Sequence, residues 1–320
     1  MSSLRDDLYS WIAQGVLRPA DAPQALALAG LTPGAGEWRG FLRALLLWAG
    51  VVLVAAGVIF FFAYNWQDLG RLQKLGLAGT LLGCTVLAAA VLGPDRPGGK
   101  AALLGSSLFT GALMALFGQI YQTGADPFEL FAYWALLILP WVFIGRMGAL
   151  WLFWIVLLNV AALTYMQARS WIGPGLLFGL WGMTWVVLGL NVTALVVWEF
   201  LMASGVGWLE RWGARTLGFA AGGVATFVGV LAVVESNELG PMAFPVYVAW
   251  AGAMYWAYRV RLVDVFMLAG LVLSGIVTVT ALLSRWLLDH SDAGGLLLIG
   301  MVIIGLSAAG GWWIRQVLRE

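Results

Sequence analysis

Ten apolar stretches of about 16–21 residues, almost free of charge, run through this chain, and no other feature limits its fold so strongly. They lie near 44–64, 75–93, 101–120, 130–145, 149–168, 174–193, 216–235, 243–258, 264–284 and 294–314. A backbone in hydrocarbon has no water to bond, so each stretch must close its hydrogen bonds internally, as a helix. Two of the runs are near 16 residues, short for a core of roughly 30 Å, and these helices are expected to borrow flanking residues. The fold class is therefore all-α: a polytopic transmembrane bundle of about ten spans.

Composition supports this reading. Of 320 residues, 62% are hydrophobic and 10% charged, and the mean hydropathy is +0.91. A soluble domain carries roughly 25% charge, so this chain has too little to cover a soluble surface. Glycine (42 residues) and tryptophan (19) fit helices that approach closely and end at a membrane interface. The net charge of +1 makes nucleic acid an unsuitable partner. The bilayer is the expected one.

Residues 1–43 form the only sizeable segment before the first run. Asp6 and Asp7 stand where a signal peptide would place positive charge, so no cleaved leader is expected. Leu4, Leu8, Trp11 and Ile12 share a helical face, Ser3 and Asp6 form a capping pair, and Gly15 is a stop. Residues 19–29 read as a second short helix ended by Gly30, with 32–36 as a hinge. The expected organisation is a cytoplasmic helical hairpin over 1–43 and a transmembrane domain over 44–320.

Basic residues set the orientation, because Lys and Arg collect on cytoplasmic loops. With ten spans and the N-terminus inside, the inner segments hold Arg5, Arg18, Arg39, Arg43, Arg96, Lys100, Arg146, Arg211, Arg215, Arg259, Arg261, Arg315 and Arg319. The outer loops hold only Arg71, Lys74, Arg169 and Arg285. An eleventh span across 191–212 would erase that asymmetry. Residues 194–212 are accordingly expected as an interfacial helix on the cytoplasmic side, with Trp198, Trp208 and Trp212 at headgroup level. Both termini then face the cytoplasm.

Ala63-Tyr64-Asn65-Trp66-Gln67-Asp68 closes the first run, after a glycine-rich stretch from Gly50. Trp11-Ile12-Ala13-Gln14-Gly15-Val16 and Gly118-Gln119-Ile120-Tyr121-Gln122, followed by Trp134-Ala135-Leu136 and Leu139-Pro140-Trp141, belong to the same pattern. Together, over about residues 4–145, these resemble the bacterial membrane family catalogued as domain of unknown function 2157. The resemblance implies a multi-pass protein of the bacterial inner membrane and implies no reaction.

The chain lacks the motifs of common catalysts. There is no phosphate-binding loop, no G-x-S-x-G elbow and no H-E-x-x-H. Cys84 and His290 are each single, which leaves no intrachain disulfide and no His/Cys zinc site. No catalytic residue, metal or cofactor is expected. Span centres hold almost no ionisable groups, which argues against a proton-driven pump. Asn159, Ser106, Ser107, Thr110, Ser274, Thr278 and Thr280 read as helix–helix hydrogen-bonding groups. Gly79/Gly83, Gly175/Gly179 and Gly218/Gly222 read as close crossings. Asp264 is expected to pair with Arg259 and Arg261, and Glu199 with an arginine or water at the interface.

The most polar constellation lies on the expected outer side. Asn65 and Trp66 follow the first run, and Gln119, Tyr121, Gln122, Asp126 and Glu129 lie between the third and fourth. Amides, a phenol, an indole and carboxylates at one membrane face suit a sugar, an amine or a lipid headgroup. Asn65 and Trp66 are expected to approach Gln119, Tyr121 and Asp126. Two functions stay open: a transporter- or channel-like protein handling a small polar molecule or lipid through this vestibule, or a non-catalytic scaffold or regulatory subunit docking a membrane or cytoplasmic protein through the N-terminal hairpin.

Overall fold

The computed structural model describes residues 4–32, 34–64, 67–168, 182–234, 241–288 and 293–319. The described residues contain twelve α-helices and no strand: α1 (Leu4–Ala13), α2 (Ala22–Leu28), α3 (Ala35–Tyr64), α4 (Arg71–Leu92), α5 (Pro97–Tyr121), α6 (Pro127–Gly145), α7 (Gly148–Ala168), α8 (Gly182–Ala203), α9 (Arg211–Val234), α10 (Ala243–Tyr255), α11 (Val265–Leu288) and α12 (Ala293–Val317). Nine of them, α3 to α9 with α11 and α12, are long and apolar enough to cross a membrane. α10 has 13 residues and continues without a break into a six-residue π turn, Trp256–Arg261. It is the short helix of the 243–258 run, extended by borrowed residues.

The chain divides into two compact units, Met1–Ala112 and Leu113–Glu320, with the division falling inside α5. In the first unit, α1 packs on α2, which also meets a 3-10 turn at Pro19–Asp21. Gly15 and Gly30 end these pieces with positive φ (72° and 66°), the left-handed conformation that glycine adopts without a Cβ penalty. Ser3 lies outside the described residues. The expected boundary at residue 43 does not hold as a break: α3 begins at Ala35, so residues 35–43 are the first turns of a 30-residue helix. Their charges, Glu37, Arg39 and Arg43, hid a helix that runs past the apolar span. Apolar crevices run between α3 and α4, lined by Gly57, Phe61 and Thr80, and among α3, α4 and α5, lined by Gly50, Thr85 and Gly105. A Cβ on Gly79 or Gly83 would meet nothing within 4 Å, so this pair does not make a close crossing among the described residues.

In the second unit, α6 and α7 form a tight antiparallel hairpin, α7 packs on α8, α8 on α9, α9 on α10 and α11, and α11 on α12. Trp154 Nε1 donates to the Ala135 carbonyl (3.0 Å), tying α7 to α6. Asn159 and Asn191 face each other across α7 and α8. Asn191 Nδ2 donates to Asn159 Oδ1 at 2.7 Å, and each amide also donates to the carbonyl one turn back. Such an interhelical amide pair contributes roughly 0.6–2 kcal/mol in a membrane.

One expected element is corrected. Residues 194–203 continue the helix that starts at Gly182, a turn follows over 204–210, and Arg211 opens α9. No separate interfacial helix spans 194–212. Glu199 broke the apolar run in the sequence, but its charge is neutralised in place, so the helix continues through it. Trp198, expected at headgroup level, faces into the protein. It is buried, packed on Gly148 and Gly213, and a Cβ on Gly213 would overlap its indole ring. The earlier part of the expected sixth run, with Gly175 and Gly179, lies outside the described residues.

Candidate functional site

Three turns of the second unit meet at one end: the α6–α7 turn, the α8–α9 turn and the segment from the π turn to α11. Their sequences place charge where apolar helices stop, and the fold brings those charges together. Arg211, the first residue of α9, is the hub. Its Nη1 donates to both Glu199 oxygens at 2.7 and 2.8 Å, and its Nε donates to Asp264 Oδ2 at 2.7 Å. Arg215, one turn along α9, donates its Nε to the same Asp264 oxygen at 3.1 Å. Tyr258, in the π turn, donates its hydroxyl to Glu199 Oε1 at 2.8 Å, and its ring lies under the Arg211 guanidinium, 5.4 Å from the centroid.

Burial decides what this network does. The Asp264 side chain is 3% exposed and Glu199 17%, against 29% for Arg211 and 45% for Arg215. Buried carboxylates are costly unless paired, and here each has an arginine in direct contact. For Asp264, burial works against the charge, but hydrogen bonds from Arg211 and Arg215 outweigh it and hold the carboxyl below its ordinary range. Its other oxygen accepts the Phe266 backbone N–H (3.0 Å) at the start of α11, an N-terminal cap. The node therefore joins α8, α9, α10 and α11 by charge. Arg211 Nη2 is buried and meets no acceptor among the described residues.

Sequence reading placed Asp264 with Arg259 and Arg261. Its partners are instead Arg211 and Arg215, about 50 residues earlier in the chain. Arg261 lies over the Trp256 ring (4.5 Å). Glu199 does pair with an arginine, as expected. Arg211 as hub and Tyr258 as a hydroxyl donor were missed. The only sequence signal was a cluster of charged and aromatic residues at run ends, and nothing local says which run ends meet. A π segment was a further marker of a special site, invisible in residue order.

Beside the node, α9, α10 and α11 enclose a cavity of about 470 Å³. Gly218, Gly222 and Gly223 of α9, Trp250 of α10, and Met267, Gly270 and Ser274 of α11 line it. Phe219, Phe266 and Leu273, all exposed, form its open rim. Thr226 donates to Ser274 (2.8 Å), and Ser274 lies 3.1 Å from the Tyr247 hydroxyl, closing its deep end. Gly218/Gly222 is thus a genuine close approach, with Met267 against Gly218. A second cavity of about 360 Å³ lies between α7 and α8 among Trp151, Trp154, Trp198 and Trp208.

The expected outer constellation is less assembled. Asn65 and Trp66 lie outside the described residues. Gln119, Tyr121 and Gln122 are exposed at the end of α5, while Asp126 and Glu129 are half-buried at the start of α6. Tyr121 packs on Phe117 of its own helix, at 4.6 Å between centroids. Gln122 takes a left-handed conformation, φ 46°, as the chain turns. These five residues neighbour one another because they are close in sequence.

Residues 9–151 match the family described as Predicted membrane protein (DUF2157). This agrees with the resemblance read over 4–145 and carries it to the start of α7. No curated protein and no solved structure matches the chain. The chain is a membrane protein with many apolar helices in contact with lipid. The node and the cavity beside it lie beyond the matched segment.

Proposed function

We propose that this is a non-enzymatic, transporter-type protein of a bacterial cytoplasmic membrane that takes a lipid from the bilayer into its C-terminal helices. One observation carries the reading: the cavity of about 470 Å³ among α9, α10 and α11. It falls within the about 300–1,000 Å³ of small-molecule sites. Its rim of exposed apolar side chains suits entry from hydrocarbon better than from water. The charged node at its head provides a polar contact at one membrane face. On this reading the node faces the cytoplasm, where the basic residues gather. The α5–α6 turn, with Gln119, Tyr121, Gln122, Asp126 and Glu129, is a polar rim on the opposite face.

The test is transbilayer lipid movement. The protein is reconstituted into vesicles containing a headgroup-fluorescent phospholipid, and an impermeant quencher is added outside. Quenching well beyond the half seen in protein-free vesicles is expected. Equal quenching in both would end the lipid-handling reading. A second reading has its own support: Leu4, Tyr9 and Trp11 are exposed on α1, an apolar surface on which a partner protein could dock. A chain lacking residues 1–32 separates the two, since lipid movement should survive the deletion if the C-terminal helices carry the function.

A further inference from the structure

The same cavity says more about what it holds, and this step rests on the lipid-handling reading only for where the bound molecule goes, not for what binds. We infer that the groove among α9, α10 and α11 is a site for one acyl chain of an anionic phospholipid, whose phosphate is met by Arg215.

The helical period sets the arrangement. On α9, Arg215, Gly218, Phe219, Gly222 and Thr226 fall at steps of three or four and so share one face. All but Arg215 line the groove, which puts the arginine at its head. On α11, Phe266, Gly270, Ser274 and Val277 form the opposing wall. Phe266 also lies beneath the Arg215 guanidinium, at 5.7 Å, so one aromatic ring joins the cation to the apolar channel. Arg215 commits its Nε to Asp264 and is 45% exposed. That leaves its outer edge turned away from the pairing and suited to a phosphate.

Charge at this end favours an anion. Among the described residues of the second unit, Arg146, Arg211, Arg215, Arg259, Arg261, Arg315 and Arg319 lie on or beside the turns and helix ends of the node side. Among the described residues, the carboxylates there are Glu199, Glu210 and Asp264. A zwitterionic headgroup would gain less from that excess. The body of the groove fits a single chain. A Cβ on Gly223 or Gly270 would meet nothing within 4 Å, so these two glycines bring no helix closer and instead leave the channel unfilled. Trp250 lines the groove, and its buried Nε1 finds no acceptor among the described residues. An ester carbonyl of the lipid is a chemically suitable acceptor.

The experiment uses the full chain in nanodiscs doped with a phosphatidylglycerol that carries a photoactivatable diazirine in its acyl chain. Crosslinked peptides are mapped by mass spectrometry. Labelling should concentrate within 218–226 and 266–277 and should be competed by unlabelled phosphatidylglycerol more strongly than by phosphatidylcholine. Arg215→Gln should weaken phosphatidylglycerol labelling about fivefold, the worth of one basic residue near an anionic headgroup, and leave labelling by the matching phosphatidylcholine probe unchanged. Gly270→Leu, and independently Gly223→Leu, should fill the channel and remove labelling by both lipids. Equal competition by the two lipids, or an Arg215→Gln variant indistinguishable from wild type, overturns the inference while leaving the cavity as an uncharged lipid entrance. Label spread evenly over all lipid-facing helices overturns the inference and the entrance together. Concentrated, charge-selective labelling without lipid movement in vesicles leaves the inference standing and removes only the transport reading.

Discussion

The two ends of the C-terminal unit handle polar residues in opposite ways. At the node end, Glu199, Arg211, Arg215, Tyr258 and Asp264 come from four elements and satisfy one another across distances of 12 to 59 residues in the chain. At the other end, Gln119, Tyr121, Gln122, Asp126 and Glu129 come from one turn, and the first three face outward. There, Arg285 Nη1 of α11 donates to the Val233 carbonyl of α9 (2.7 Å). The difference teaches that a dense polar sequence and a dense polar structure need not coincide. Neighbours in a turn can each be solvated alone. Charges drawn to one place by helix packing must neutralise each other.

The contrast breaks first, if it breaks, at Arg211. Arg211→Ala leaves two largely buried carboxylates without their shared partner, and thermal unfolding in detergent should show a loss of about 3–5 kcal/mol. A loss below about 1 kcal/mol would mean that the node is no more than a surface ion pair. Tyr258→Phe removes one hydrogen bond to a charged acceptor, and a loss of about 1.5–3 kcal/mol is expected by the same measurement. Gly213→Ala tests packing beside the node, because the added methyl meets the Trp198 ring. Overpacking of this kind costs about 1–3 kcal/mol, which the same thermal unfolding measurement should show.

Acid sharpens the comparison further. The Asp264 pKa is depressed in the folded state, so its stabilising contribution is complete above the ordinary carboxylate value of about 3.9 and is lost as pH falls through the lower folded value. Stability should be flat from about pH 5 to 8 with respect to this group and should fall at strongly acidic pH. Asp264→Asn should be less stable at neutral pH and show a shallower acid decline. The smallest effect belongs to the opposite end: Gln119→Ala and Tyr121→Ala should each change stability by no more than about 0.5 kcal/mol. A larger loss would show that this turn is tied into the unit as firmly as the node.

Much of the fold was legible because hydrocarbon is an unforgiving solvent. The apolar runs had to be helices, and most of the helices stand where the runs do, with α10 and its π turn taking the borrowed residues. Errors arose where charge was taken as a boundary. Glu199 split α8 on paper, and Glu37, Arg39 and Arg43 hid the first turns of α3. In each case a charge can sit in a helix when a partner or water reaches it, and composition alone does not report partners. Asn159 was recognised as a helix–helix group, yet its partner Asn191 was not, since the pairing spans 32 residues.

The sequence by itself determined the membrane class, the all-α fold and the positions of most of the long apolar helices. These follow from hydropathy and backbone hydrogen bonding, which are local properties. Tertiary structure alone decided that Arg211 holds both Glu199 and Asp264, that Trp198 turns inward onto two glycines, and that α9, α10 and α11 leave a channel headed by an arginine. Those outcomes depend on which helix faces meet. Lipid cannot select among such faces by hydrophobicity, so close packing and the pairing of polar groups make the choice.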